Sequence, residues 1–377
     1  MKKITFVFYS ILLFLFTSFS YLFVDSNIPI LGMLYSGFFS SKRELAVIIY
    51  SIFVLLLFAF YIYFILSVRK KILSINDFKI LIFITIGILF FSYPAMLSYD
   101  IFNYIATSKV LFFYHENPYI VMPIEFSGEP LLGFMHAANK IALYGPIWIA
   151  LTGIPFFLGF LGFIFTLFSF KLFVILFYLG TIFLIWKISK SLISVLLFSL
   201  NPLVIIETLV SSHNDIAMIF FLLFSYFLVM KDKAKFAVLF FLLSIFIKYT
   251  TFILLPVFLF VIMIQIKKIK IDWERVFHYS GWIMLIGFFL SPIREEIYPW
   301  YALWFLPFSF LAPNRKFLLS ISIVLSFGLL LRYVSFILLG THSGLTPLIK
   351  STVTFVPLSL LLIFFAFKKV WSRIYCH

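Results

Sequence analysis

Long apolar runs broken by short polar turns dominate the chain. Runs 4–24, 45–67, 78–97, 161–186, 191–210, 317–339 and 351–367 each come close to the roughly 20 residues that an α-helix needs to cross a bilayer. Shorter runs lie at 215–230, 279–292 and 300–312. The run 236–266 is too long for one straight span. Lys248-Tyr249-Thr250 interrupts it and Pro256 follows, so it predicts two short helices meeting at Lys248. The pattern predicts an all-α integral membrane protein with about 12 spans. Met1-Lys2-Lys3 and the apolar run after it have the shape of a signal peptide. The run is too long for one and no small-x-small site follows, so it predicts an uncleaved first span.

Composition supports the pattern. Length alone, 377 residues, allows soluble domains, but 64% of the residues are hydrophobic and only 11% charged. A soluble domain carries roughly 25% charge. Mean hydropathy is +1.17. The net charge of +15 does not mark a nucleic-acid partner, because it follows the turns between spans. One set of turns holds Arg69-Lys70-Lys71, Lys187 with Lys190, Lys231 to Lys235, Lys267-Lys268, Arg315-Lys316 and the tail Lys368, Lys369 and Arg373. The other set holds most of the acids, with Lys42-Arg43 as its main exception. That asymmetry predicts a multi-pass protein of the cell membrane with both termini cytoplasmic, attracted to anionic lipid. A single Cys376 excludes an internal disulfide and a Cys/His metal cluster.

The polypeptide reads as one polytopic domain over 1–377. Its one long loop, after the third span, falls on the outer side. Residues 98–145 carry Ser98-Tyr99-Asp100, His115-Glu116-Asn117-Pro118-Tyr119 and Tyr144-Gly145-Pro146. A long ordered loop among short ones usually carries function. Segments 100–113 and 130–143 suit short helices on the membrane surface. Residues 146–160, interrupted by Pro155, suit an interfacial or re-entrant piece, which extends the extracytoplasmic region to 98–160.

Ionisable residues at membrane depth cost several kcal/mol and point to function. Asp100 sits among Tyr93, Tyr99, Phe102 and Tyr104, where partial desolvation makes a carboxylate a better base. It also suits the N-cap of a helix starting at Ile101. Glu207, Ser211 and Asp215 fall on one helical stripe in a segment that includes His213 and Asn214. His213 and Asp215 are compatible with a divalent cation, though two ligands make a weak set. Lys248, flanked by Ile247 and Tyr249, suits an anionic headgroup phosphate or a snorkelling role. Arg294-Glu295-Glu296 before Pro299-Trp300-Tyr301 is richer than an aromatic belt. Arg332 beside Tyr333 suits pairing within the bundle or a phosphate, and Lys171 is unexplained. These residues gather toward the outer face. No Gly-rich phosphate loop or Rossmann pattern is present, which argues against a soluble nucleotide as direct substrate.

In order along the chain come Tyr99-Asp100-x-x-x-Tyr104, Asn117-Pro118-Tyr119, Tyr144-Gly145-Pro146 and Asn201-Pro202-Leu203 with Glu207. His213-Asn214-Asp215, Lys248-Tyr249 and Pro299-Trp300-Tyr301 follow. This ordered set resembles polytopic glycosyltransferases of the GT-C superfamily, most of all the polyprenyl-phosphate-mannose-dependent mannosyltransferases. The likeness runs from about residue 93 to 305; the flanks share only hydrophobicity. It implies a GT-C-like helical bundle with a large outer loop after the third helix. It also implies transfer of mannose or another hexose from a polyprenyl-phosphate donor to a lipid-linked or envelope glycan acceptor, without nucleic acid. By that resemblance Asp100 is the general base. Lys248, Tyr249 and Arg294 would meet the donor phosphate; Arg332, beyond the reach of the likeness, joins them on its own position in a span. Tyr104, Asn117, Tyr119, Tyr144, Glu207, His213, Asn214, Asp215, Trp300 and Tyr301 would line the substrate pocket. No metal site is implied. Some relatives carry two adjacent acids where this chain has Tyr99 before Asp100. The chain is also short for the superfamily, and recognition of the acceptor by a soluble C-terminal domain is not expected.

The competing reading is a lipid-linked-sugar flippase or transporter. It calls for charges along a central path, whereas these cluster toward one face, and no internal repeat is evident.

Overall fold

The computed structural model describes residues 2–23, 42–135, 137–159, 162–293, 296–341 and 343–375. All regular structure among them is helical. A membrane dictates this, since backbone groups that cannot reach water must be satisfied within their own segment. The chain opens with α1 (Lys2–Ser20), α2 (Arg43–Arg69) and α3 (Ile75–Leu89). Next come α4 (Asp100–Phe112), α5 (Pro146–Leu158) and α6 (Phe163–Ser189). Helices α7 (Leu192–Ser199) and α8 (Pro202–Ile205) meet at a bend, and α8 runs into a π-turn at Ile206–Val210. The middle of the chain forms α9 (Asp215–Val229), α10 (Ala234–Ile247), α11 (Leu255–Ile266) and α12 (Trp273–Leu290). It ends with α13 (Leu306–Leu311), α14 (Lys316–Leu339) and α15 (Thr346–Tyr375).

Among the described residues, seven helical stretches are long and apolar enough to cross a membrane. There are eight if the pair 192–199 and 202–210, bent by 55°, forms one broken span. α5, α9 and α10 are apolar but shorter; the sequence count of about 12 takes in short elements of this kind. α14 packs against α15 and α2, and α9 against α10 and α6. Buried tyrosines tie the frame together. Tyr50, Tyr61 and Tyr178 donate to the carbonyls of Leu330, Leu197 and Ser199. Each buries a ring while its hydroxyl finds a backbone partner.

Local chemistry accounts for several boundaries. Ser74 and Asp77 form a reciprocal capping box at the start of α3. Asn201 caps α8 by accepting from the Leu203 and Val204 N–H groups, with Pro202 in the first helical position. Lys171 of α6 is fully buried. Its ammonium donates to Leu89 O at 3.1 Å, Ser92 O at 2.5 Å and Ser92 Oγ at 3.0 Å. A cation thus adds a donor to the carbonyls at and just beyond the C-terminal end of α3.

The break at Lys248 is present. α10 stops at Ile247, Lys248 is extended, and a 3-10 turn at Tyr249–Leu254 leads into α11. Elsewhere the structure corrects the local expectations. Segment 100–113 is helical as α4, but Ile101 to Ser108 are buried, so it is packed into the protein instead of lying on a membrane surface. Asp100 is itself the first residue of α4, and no side chain caps that helix. Segment 130–143 forms only a 3-10 turn at Pro130–Phe134. Run 300–312 is a buried connector, a 3-10 turn at Pro299–Trp304 followed by α13, because Pro299 and Pro307 restart the chain twice. The stripe of Glu207, Ser211 and Asp215 does not form. The π-turn closes with Ser211 N–H on Ile206 O, and Ser212 turns left-handed at φ 59°.

Gly145 sits where the loop meets the end of α10. Its N–H donates to Ile247 O at 3.2 Å, and a Cβ there would fall 2.1 Å from Phe246 O. Gly145→Ala is expected to lower stability by about 1–3 kcal/mol, the usual scale for forced overpacking. Thermal unfolding in detergent checks this, and an unchanged melting point would disprove the close approach.

Candidate active site

Asp100 stands in the first turn of α4, where a carboxylate is favoured by the helix dipole. Its neighbour one turn on, Tyr104, is buried. The Tyr104 hydroxyl donates to Asn214 Oδ1 at 3.3 Å and accepts from Asn214 N–H at 3.2 Å. A spacing of four puts Asp100 and Tyr104 on one helical face. Anchoring Tyr104 on Asn214 therefore brings Asp100 to the adjacent residue, His213. Asp100 Oδ2 lies 3.4 Å from His213 Nδ1.

His213 is positioned by the chain reversal before it. The left-handed Ser212 lets the His213 N–H return to Glu207 O at 2.9 Å. The other ring nitrogen, Nε2, lies 3.2 Å from Glu207 Oε2. Glu207 Oε1 accepts from the Tyr333 hydroxyl at 3.0 Å. The result is a row of carboxylate, imidazole, carboxylate and phenol. The His213 and Glu207 side chains are fully buried, while 27% of Asp100 is exposed. Asp100 is thus the end of the row that a solute can reach. Burial works against a charged imidazole here, but Asp100 and Glu207 on its two sides outweigh it and push the His213 pKa up to about 9.

Aromatic rings hold the row in place. Trp300 stacks on His213 at 4.0 Å and on Tyr298 at 4.5 Å, both nearly parallel. Two parallel rings this close cannot share one face of the indole, so Trp300 is sandwiched between them. It therefore offers a solute its edge, not its face. Tyr144 meets Tyr104 edge-on at 4.7 Å, and Tyr144 O accepts from the Tyr119 hydroxyl at 2.7 Å. Asn117 Oδ1 accepts from Tyr119 N–H, which turns the loop there.

A second pair lies beside the row. Lys248 Nζ donates to both oxygens of Asp215, at 2.8 and 3.0 Å. Trp304 Nε1 donates to Asp215 Oδ1 at 2.6 Å. The ammonium also lies 4.4 Å from the Tyr301 ring centre. Tyr249 points outward, 57% exposed. Arg332 faces Glu296, and Arg294 lies outside the described residues. His213 and Asp215 turn to different partners, so they do not form a joint cation site. Among the described residues no group of three or more His, Cys, Asp and Glu is arranged to hold a metal ion. Asn214 Nδ2 and the Ser211 and Ser212 hydroxyls are buried without a protein partner. Such donors at the row suit a polar ligand.

Sequence reasoning named Asp100, Glu207 and His213 without joining them. It left Trp304, Lys350 and the bond from Tyr333 to Glu207 out of the candidate set. The usable signal was buried demand: a Glu a turn deep in a span needs partners, and it has the Tyr333 hydroxyl as donor and the His213 ring at 3.2 Å.

Compared with protein-family profiles, residues 6–265 match the family described as alpha-(1->6)-mannopyranosyltransferase, N-terminal domain. No curated protein and no solved structure matches the chain. The matched region includes Asp100, Glu207, His213, Asp215 and Lys248 and ends before Glu296 and Trp300.

A raised histidine pKa is a stability statement. The contribution of charged His213 is fully present below the ordinary value of about 6.5. It is lost as pH rises through about 9. The melting temperature in detergent should therefore fall across that interval, and His213→Gln should remove that part of the fall. An identical slope in the variant would refute a charged His213.

Proposed function

The chain belongs to the alpha-(1->6)-mannopyranosyltransferase family, a multi-pass membrane glycosyltransferase, and we propose that it moves mannose from a polyprenyl phosphate to a glycan acceptor on the outer face. The acceptor is a lipid-linked or envelope glycan. The carrying observation is the half-open Asp100 carboxylate backed by buried His213 and Glu207.

In this reading the acceptor hydroxyl oxygen attacks the anomeric carbon of the donor. The bond from that carbon to the phosphate oxygen breaks, and the phosphate leaves with the electron pair. Asp100 takes the hydroxyl proton as the new bond forms. Attack opposite the leaving group inverts the anomeric centre. His213 fixes the carboxylate by holding one of its oxygens. Glu207 on the far nitrogen offsets the imidazolium charge. Negative charge grows on the leaving phosphate, and Lys248, Arg294 and Arg332 are the cations proposed to answer it, with Tyr249 proposed as a further phosphate contact. Lys248 does so while held by Asp215, which fixes its position. Tyr104, Asn117, Tyr119, Tyr144, Asn214 and Tyr301 shape the sugar pocket. Trp300 acts through His213, whose ring it holds by stacking.

The test is release of polyprenyl phosphate from labelled polyprenyl-phosphate-mannose, with membrane extract as the source of acceptor. The wild-type protein should turn over. Asp100→Asn should keep the fold and lose roughly 10²–10⁴ in rate, the scale of a missing general base. Equal turnover by the variant would remove Asp100 from the mechanism.

A further inference from the structure

Adjacent along α14 to Tyr333, which bonds the row, Arg332 belongs to a cluster that the reaction as written does not use in full. Arg332 of α14, 7% exposed, and Lys350 of α15, 13% exposed, converge on one oxygen of Glu296. Arg332 Nη2 donates to Glu296 Oε1 at 3.1 Å, and Lys350 Nζ donates to the same oxygen at 2.7 Å. The guanidinium is fixed from its other side, where Nη1 donates to Lys350 O and Thr354 Oγ1. Among the described residues, two fixed cations facing one carboxylate leave an excess positive charge.

Three observations say what such a site takes. Glu296 comes from an irregular connector and is 38% exposed, so it can leave without unfolding a helix. Away from its contact with α14, α15 is largely exposed, with 11% of its most apolar window buried, so an apolar chain in the bilayer can lie against it. Tyr333, next to Arg332 on α14, donates to Glu207 and ties the cluster to the catalytic row.

We propose that Arg332 and Lys350 form a phosphate site for a lipid-linked phosphate, with the Glu296 carboxylate as a built-in competitor that the phosphate displaces. The assignment rests on the transfer reading above and deepens it. A carboxylate oxygen between two donors stands where a phosphate oxygen would sit. A phosphate monoester carries about −1.5 to −2 charge at neutral pH, against −1 for a carboxylate or a diester. The site therefore favours the released polyprenyl phosphate over the intact donor. Glu296 closes back over the cations when the product leaves.

Binding of a short-chain polyprenyl phosphate to the purified full-length protein in detergent tests this without any transfer step. Glu296→Gln should tighten binding roughly tenfold, since the lost charge no longer competes. Lys350→Met should weaken it, and Lys350→Arg, which keeps the charge, should bind as wild type does. Unchanged or weaker binding by Glu296→Gln, with Lys350→Arg still folded and binding, would overturn the competitor role. Inorganic phosphate that competes as well as the lipid would overturn the lipid-linked source, and so would equal competition by phosphatidylglycerol. A mannosyl-donor assay that fails while the Glu296→Gln effect holds would count against the transfer reading and leave the phosphate site standing.

Discussion

His213 is held between two carboxylates in a region closed to water, and the rest of the arrangement follows from that. A lone charge there would cost several kcal/mol. Asp100 and Glu207 offset the cost only because they approach both ring nitrogens, at 3.4 and 3.2 Å. That demand reaches outward. Glu207 needs a hydrogen-bond donor and takes it from Tyr333. The ring needs a fixed plane and takes it from Trp300. Asp100 must arrive from a different helix, and the bonds between Tyr104 and Asn214 bring it there.

Irregular backbone gathers where this happens. The 55° bend between α7 and α8, the π-turn, left-handed Ser212, extended Lys248 and the connector at 299–304 all contribute residues to the cluster or border it. Lipid-facing backbone cannot depart from the helix in this way, because its N–H and C=O groups would go unpaired. Here the departures are wrapped in protein: His213, Glu207, Asp215 and Trp304 are all buried. A bundle of spans supplies the dry shell, and its broken helices supply the polar lining. The family match covers the part of the chain in which most of these breaks occur.

The pairing of Lys248 with Asp215 repeats the same logic at lower burial. The ammonium keeps 23% of its side chain exposed. It is fixed by a bidentate contact and by the Tyr301 and Trp304 rings. A partly open cation is thus held rigid by a fully buried carboxylate, which suits a site that must meet a growing negative charge.

The helices, the membrane and the family likeness were legible in the sequence. Hydrophobic run length answers directly to bilayer thickness, and the ordered polar motifs survive as residue letters. Asp100, Glu207, His213 and Lys248 stood out for the same reason, since charge at membrane depth violates the local pattern. Their pairing was not legible. Helical periodicity put Glu207 and Asp215 on one stripe, but a left-handed Ser212 sent them to separate partners. Trp300 read as a wall of the sugar pocket, and its stacking on His213 was not legible. Glu296, Arg332 and Lys350 belong to three elements and meet only when α14 packs on α15. Sequence reports which residues carry unmet electrostatic demand. Which partner meets it depends on distances of a few ångströms between remote segments, and only packing sets those.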